Sequence, residues 1–450
     1  MVILRTDGLS TVEDTTEGGK DMAGKSYKEM SKQELLHEKG SLEAAFDEWK
    51  NRGMTLNMAR GKPSEEQLDL SMDLLNMHID ENEMVRVEKN IDLRNYGGLE
   101  GIYSARELLA TMLEVNADQV ILYGNSSLNL MFDTIGRAMI KGIMGHTPWC
   151  KLDKVKFLCP VPGYDRHFSI CEYYGIEMIN VPMTEDGPDM DMVEKLVAED
   201  DAIKGIWCVP KFSNPQGIVY SDETVKRFAK LKPAAEDFRI FWDNAYCVHY
   251  LYDEIKIPNI IAECEKAGNP DMVYEFCSTS KISFAGAGIS GLASSEANLK
   301  DALASMTVQT IGHDKINQLR HAIFFENGKR IPEHMKKHAA ILRPRFEMVL
   351  KTLERDLGGR DAGSWLTPKG GYFITFTSLP GCAKLIVDLC KKAGVVLTGA
   401  GAPFPYGNDP EDSTIRIAPT YPSREELELA ADIFTICVRL ASVEKYLGII

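Results

Sequence analysis

Between residues 119 and 276, short apolar runs alternate with stretches whose apolar residues recur at helical spacing. The runs lie at 119–123, 156–158, 176–181, 205–209, 239–242 and 272–276. Between the first two, Leu128, Met131, Ile135 and Met139 mark one helical face, and similar patterns fill 190–199 and 222–231. Continuous apolar runs of this length suit strands buried on both faces, and helical crossovers are what join parallel strands. An α/β fold follows, with a mostly parallel sheet covered by helices. Before this region, Leu35, Leu36, Leu42, Ala45 and Phe46 predict a helix within 27–49. After about residue 330 the pattern changes. A long helix is expected from near Pro332 past Leu350, then runs at 371–376, 395–398 and 414–417, then a helix from Arg424. This reads as a smaller α+β unit. Ser104 with Glu107, and Ser423 with Glu426, have the spacing of capping boxes.

Composition narrows the function. Of 450 residues, 44% are apolar and 26% charged, so the chain can bury large cores and is not a disordered or fibrous sequence. Lys plus Arg is 51 and Asp plus Glu is 66, a net charge of −15. That acidity argues against nucleic acid as a partner. The ten cysteines form no CxxC pair and no cluster with histidine at zinc spacing, so no metal site is expected. Cys159, Cys208 and Cys277 sit in apolar runs and read as core residues of a reducing compartment. No window of about 18 apolar residues suggests a membrane span, and residues 1–24 show no period. A cytoplasmic protein with a loosely ordered N-terminal extension is expected.

Five motifs carry chemistry, each at a predicted strand end. In YGNSSLNL a strand turns through Asn125, Ser126 and Ser127 into a helix, a place where backbone N–H groups and hydroxyls can hold a phosphate. An ordinary capping turn would look the same. In CSTSKISFAGAG, Lys281 stands between an apolar strand and a Gly-rich loop, where desolvation would make it a Schiff-base nucleophile. An exposed loop lysine is the alternative. In IFWDNAY, Asp243 interrupts an apolar run and needs a partner, such as a pyridinium nitrogen, and Tyr246 lies three residues on. Asn214 in KFSNPQG can donate its amide to a ligand or can simply shape a turn. Arg416 in TIRIAPTYP alternates with isoleucines, as a rigid carboxylate fork or a salt-bridged strand arginine would.

Taken in order, these motifs resemble the fold-type I, class I aminotransferases that use pyridoxal 5′-phosphate. NMARGKP, TSKISFAGAG, IGHDKINQLRH and TIRIAPTYP are most similar to the subgroup Ic aspartate aminotransferases. The resemblance implies a seven-stranded, mostly parallel sheet in a large cofactor-binding domain, 76–330. It implies a small α+β domain built from both termini, 25–75 and 331–450, after an extension of 1–24. Lys281 would form the internal aldimine and shuttle a proton. Asp243 would hold the pyridine nitrogen, with His167 supporting it. Asn214 and Tyr246 would bond the phenolic oxygen, and Tyr164 of PVPGYDRHF would stack on the ring. Ser126, Ser127, Ser278 and Ser280 would hold the phosphate, and Tyr96 of RNYGGLEG would reach a partner's phosphate in a homodimer. Gly61 would close over substrate and Arg416 would clamp the α-carboxylate. Lys315, with His313, Arg320, Arg60 and Lys62 as alternatives, would meet a distal carboxylate, unless Lys315 and Arg320 simply lie on a solvated helix face. Where many relatives place a phosphate-binding Arg, this chain has Gly288 and Ile289. The implied activity is ping-pong transamination of L-aspartate with 2-oxoglutarate. A broader alanine or aromatic aminotransferase, a carbon–sulfur lyase, or a non-catalytic cofactor-binding sensor are the rival readings.

Overall fold

The computed structural model describes residues 24–80, 82 and 91–450; the expected extension therefore lies, but for Gly24, outside the described residues. In chain order the strands are β1 (Leu56–Asn57), β2 (Val120–Tyr123), β3 (Lys156–Val161), β4 (Glu177–Thr184), β5 (Gly187–Pro188), β6 (Ile203–Cys208), β7 (Arg239–Asp243), β8 (Val273–Ser278), β9 (Ser290–Ala293), β10 (Gly363–Trp365), β11 (Ile374–Ser378), β12 (Val395–Val396) and β13 (Thr414–Ile417).

The large sheet has the order β2-β9-β8-β7-β6-β3-β4-β5. The pairs from β8 through β4 are parallel, and β9 runs antiparallel between β2 and β8. The expected seven strands are β2–β4 and β6–β9; the eighth, β5, is a two-residue hairpin return on β4. Side chains along each strand alternate between two apolar cores. Ile240 and Trp242 enter one and Phe241 the other; Val120 and Leu122 enter one and Ile121 and Tyr123 the other. Burial on both faces is why these strands read as unbroken apolar runs. Sequence patterning missed β9, because SGLA has one large apolar side chain.

A third core joins the two chain ends. It takes in Leu35, Leu42 and Phe46 from the helix Lys32–Asn51, Phe346 and Val349 from Ile331–Leu357, and Phe434 and Val438 from Arg424–Tyr446. β1 pairs in parallel with β12, Leu56 opposite Val395, and β10-β11-β13 form a small antiparallel sheet. The long helix carries Pro332 in its first turn, where proline's missing N–H costs no bond. The capping box at Ser423 and Glu426 is present. The expected box at Ser104 and Glu107 is not. That helix begins at Tyr103, so Ser104 lies inside it with a buried, unpartnered hydroxyl. The Ile102 N–H is instead satisfied by Gln318 Oε1 at 3.0 Å.

Candidate active site

The carboxyl ends of the parallel strands converge on a cavity of about 480 Å³, the position at which open α/β sheets bind ligands. Gly61, Ser126, Ser127, Tyr164, Asn214, Asp243, Tyr246, Ser278, Ser280, Lys281 and Arg416 all line it. Segments up to 355 residues apart in sequence thus meet at one point.

Asp243 ends β7 with its side chain almost wholly buried. Oδ2 lies 3.0 Å from His167 Nε2, and His167 stacks on Trp207 at 4.3 Å with a 7° interplanar angle. Oδ1 is buried without a hydrogen-bond partner. A carboxylate oxygen sealed from water and left unpaired is costly unless a donor arrives from the cavity.

Lys281 follows β8 in a loop fixed through its backbone. The Lys281 carbonyl accepts from Tyr372 Oη and from His249 Nε2, each at 3.3 Å. The next carbonyl, of Ile282, accepts from His334 and His338 Nε2 at 2.8 and 3.1 Å. Gln67 Nε2 donates to both His338 Nδ1 and Tyr372 Oη at 3.0 Å. Nζ lies 4.8 Å from the centre of the Tyr246 ring. Burial pushes the Lys281 ammonium's pKa down, opposed in part by the charge of Asp243. Burial likewise raises the Tyr246 and Tyr164 hydroxyls, so both phenols stay protonated.

At the other end, Ser126 takes the N-cap position of the helix Ser127–Lys141 but makes no side-chain cap bond. An ordinary capping turn would have used that hydroxyl. Ser278 Oγ donates to Ser280 Oγ at 3.1 Å, and Ser280 Oγ to the Asn125 carbonyl at 3.1 Å. Asn125 itself braces this corner from behind, its amide 3.4 Å from the Gly286 carbonyl, and does not line the cavity. At 288 a side-chain carbon would come within 2.9 Å of Thr279 Oγ1, and the Ile289 N–H bonds that same oxygen at 3.0 Å. The loop is packed too closely there for an arginine.

Arg416, in β13, donates from Nη1 to Asp165 and Asn214 at 3.1 and 3.2 Å and from Nη2 to Thr398 at 3.0 Å. Its guanidinium sits 4.8 Å from the Phe373 ring centre. Phe373 also touches Gly61 so closely that any side chain at 61 would collide with the ring.

Two expected residues lie elsewhere. Tyr96 is 80% exposed and Lys315 is buried against Gly98, so neither lines this chain's own cavity. The alternative of a solvated helix face for Lys315 is wrong, since the 91–98 turn covers it. Of the other distal cations, Arg60 and Lys62 line the cavity, whereas His313 and Arg320 do not. Sequence reading overlooked Asp165, Arg166, Phe373 and Thr398. The first two follow Tyr164 directly and could have been found from the helix start there; Phe373 and Thr398 carry no local signal.

Comparisons with known proteins identify the family and the fold. A family model described as aspartate amino-transferase matches residues 30–449. The aspartate aminotransferase of Corynebacterium glutamicum is 45% identical over 414 residues, spanning 92% of this chain and 95% of its own. A crystal structure of an aspartate transaminase from the same species superposes with a TM-score of 0.90 at 43% identity, over 94% of this chain and 100% of that one. The α-aminoadipate aminotransferase LysN of Thermus thermophilus shares the fold, with a TM-score of 0.69 at 19% identity over 88% and 94% of the two chains. On this agreement of sequence and fold, the chain belongs to the aspartate aminotransferase family and is an aminotransferase.

Proposed function

We propose that the enzyme transaminates L-aspartate with 2-oxoglutarate, giving oxaloacetate and L-glutamate, and that it uses pyridoxal 5′-phosphate. The unpartnered Asp243 Oδ1 fits a protonated pyridine nitrogen, and the uncapped helix start with Ser126, Ser127, Ser278 and Ser280 fits a phosphate. When bound, that cofactor supplies the electron sink for the pair left at the substrate's Cα. The chain's own residues do the rest. Asp243, backed by His167, holds the ring proton by charge. Asn214 and protonated Tyr246 donate to the ring oxygen, and Tyr164 covers the ring face. Lys281, whose pKa burial lowers, would take the proton from the substrate's Cα and return it on the other side of the transfer. Arg416 holds the α-carboxylate, and Gly61 and Phe373 close the cavity against water.

The observation favouring a dicarboxylic substrate is charge. The cavity wall carries Arg60, Lys62, Arg166, Lys281 and Arg416 against only Asp165 and Asp243. Arg60, Lys62 and Arg166 are exposed, and none of them is in an ion pair among the described residues. One of them can meet the distal carboxylate from within the chain. Tyr96 acts, on this reading, across a homodimer interface. Tyr96, Val308 and Ile311, respectively 80, 89 and 61% exposed, supply apolar surface for it. Among the described residues no helix is long and apolar enough to cross a membrane.

The test is a panel of amino acids followed by the visible absorbance of the loaded enzyme. Arg60, Lys62, Arg166, His313, Lys315 and Arg320 are each replaced by Ala. Loss of a charged hydrogen bond is worth about 1.5–3 kcal/mol, roughly 10- to 150-fold. One variant should lose that much kcat/KM for aspartate and almost none for alanine. A wild type that prefers alanine, or no variant that separates the two, overturns the aspartate reading.

A further inference from the structure

Arg416 has its carboxylate-binding edge already occupied. Nε is buried without a partner, whereas the outer Nη1–Nη2 end carries all the hydrogen bonds that the guanidinium makes among the described residues. Both Nη1 hydrogens are committed there, one to Asn214 Oδ1 and one to Asp165 Oδ1. Asn214 and Thr398 are neutral and keep the guanidinium in place; Thr398 Oγ donates onward to the Ala59 carbonyl at 3.0 Å and so ties Arg416 to the ARGKP segment. Asp165 differs. It opens the helix Asp165–Tyr174, lines the cavity, and its side chain is 32% exposed against 9% for Arg416. Arg416 is its only ion-pair partner among the described residues.

We propose that Asp165 is an internal carboxylate that the substrate's α-carboxylate displaces from Arg416, so that this residue sets how tightly every substrate binds. The inference rests on the reading of Arg416 given above. While the site is empty, Asp165 keeps Arg416 neutralised and oriented. When substrate arrives, the half-exposed aspartate swings to water and the bidentate pair forms with the substrate. The exchange replaces one carboxylate with another, so Arg416 is never left in the low-dielectric wall without a counter-charge. It also lowers the net gain from each carboxylate bound, which keeps KM up without slowing chemistry.

The experiment uses loaded enzyme, with succinate as an unreactive dicarboxylate. Asp165→Asn keeps an acceptor for Nη1 and removes the charge. A partly exposed ion pair is worth up to about 1 kcal/mol, about five-fold. Succinate should bind about two- to five-fold tighter to Asp165→Asn. The kcat/KM for both aspartate and alanine should rise by the same factor, with the gain carried by KM. Asp165→Ala should tighten succinate as well. If Asp165 merely holds Arg416 in place, both variants bind succinate more weakly, and that result or no change overturns the proposal. Arg416→Ala is run beside them. If it leaves succinate binding intact, the carboxylate role of Arg416 fails; if it weakens binding and Asp165→Asn does not tighten it, only the displacement model fails.

Discussion

Replacing His167 by Phe isolates the support behind Asp243. Phenylalanine can keep the stack on Trp207, now 4.3 Å away, but removes the only hydrogen bond that the Asp243 carboxylate makes among the described residues, 3.0 Å to Oδ2. Oδ1 is already unpartnered, and the carboxylate side chain is 4% exposed. In the cofactor-free protein the buried carboxylate would then have no hydrogen-bond partner among the described residues. Losing a hydrogen bond to a charged group costs about 1.5–3 kcal/mol. At roughly 2–4 °C per kcal/mol for a unit of this size, melting should fall by about 3–12 °C. The deficit should be smaller in cofactor-loaded enzyme, where Oδ1 gains a donor. Turnover should drop as well, because Asp243 loses the ring that fixes its orientation. Thermal unfolding at pH 8, with and without cofactor, and a turnover assay read both effects. A cofactor-free variant melting within a degree of wild type at pH 8 would refute the reasoning.

Gly61→Ala places a carbon against the Phe373 ring, and should cut kcat/KM at least about ten-fold; adding Phe373→Leu should restore part of it, and failure to do so would place the defect elsewhere. Glu275, opposite Trp242 in the sheet, is pushed up to about 7 by burial, with Asn244 the one group bonded to its carboxyl among the described residues. The folded chain thus keeps a proton that the unfolded chain releases near pH 4.5, so stability falls as pH rises from about 4.5 to 7 and is level above. Glu275→Gln should abolish that slope and raise the unfolding free energy at pH 8 by an order of about 3 kcal/mol, measured by denaturant titration.

The central strands of the large sheet were legible because they are buried on two faces, and a run such as IFW at 240–242 has no other simple reading. β9 escaped because Gly291 and Ala293 give it no bulk, although its pairing with both β2 and β8 holds the Lys281 loop in place. The cofactor corner was legible for a similar reason: Asp243, Asn214, Ser126 and Lys281 each stand at the carboxyl end of a strand, where a polar residue after an apolar run is a local signal. Arg416 and its partner Asn214 were found, but Asp165, Thr398 and Phe373 were not. Asp165 lies 251 residues from Arg416, Thr398 and Phe373 stand on neighbouring segments of the small domain, and only tertiary packing joins them. Lys315 illustrates the converse. Its helix pattern suggested a wet face, yet a turn at 91–98 folds over it, and nothing within its own element announces that cover.

Lys281 itself should show that the site is held at a cost to stability. Its backbone carbonyl is clamped by Tyr372 and His249, and the next by His334 and His338, so the side chain cannot relax toward water by moving the loop. Burial pushes His249 and His338 down to about 3, so these clamps are neutral at working pH and add no charge that titrates with Lys281. What titrates is Lys281. Its pKa is lowered on folding, chiefly by burial, so below 10.5 the unfolded chain binds this proton more readily than the folded one. The group therefore contributes a penalty at neutral pH that is relieved as pH rises toward 10.5. Lys281→Met, which fills the same space without a charge, should abolish turnover and end the covalent fixation of cofactor by borohydride. It should at the same time raise the melting temperature of the cofactor-free protein at pH 7, with a smaller gain at pH 9. A lower melting temperature at pH 7 would mean that the attraction between Lys281 and Asp243 outweighs desolvation, and that the lysine reaches its working protonation state only once the cofactor has taken up the charge of Asp243.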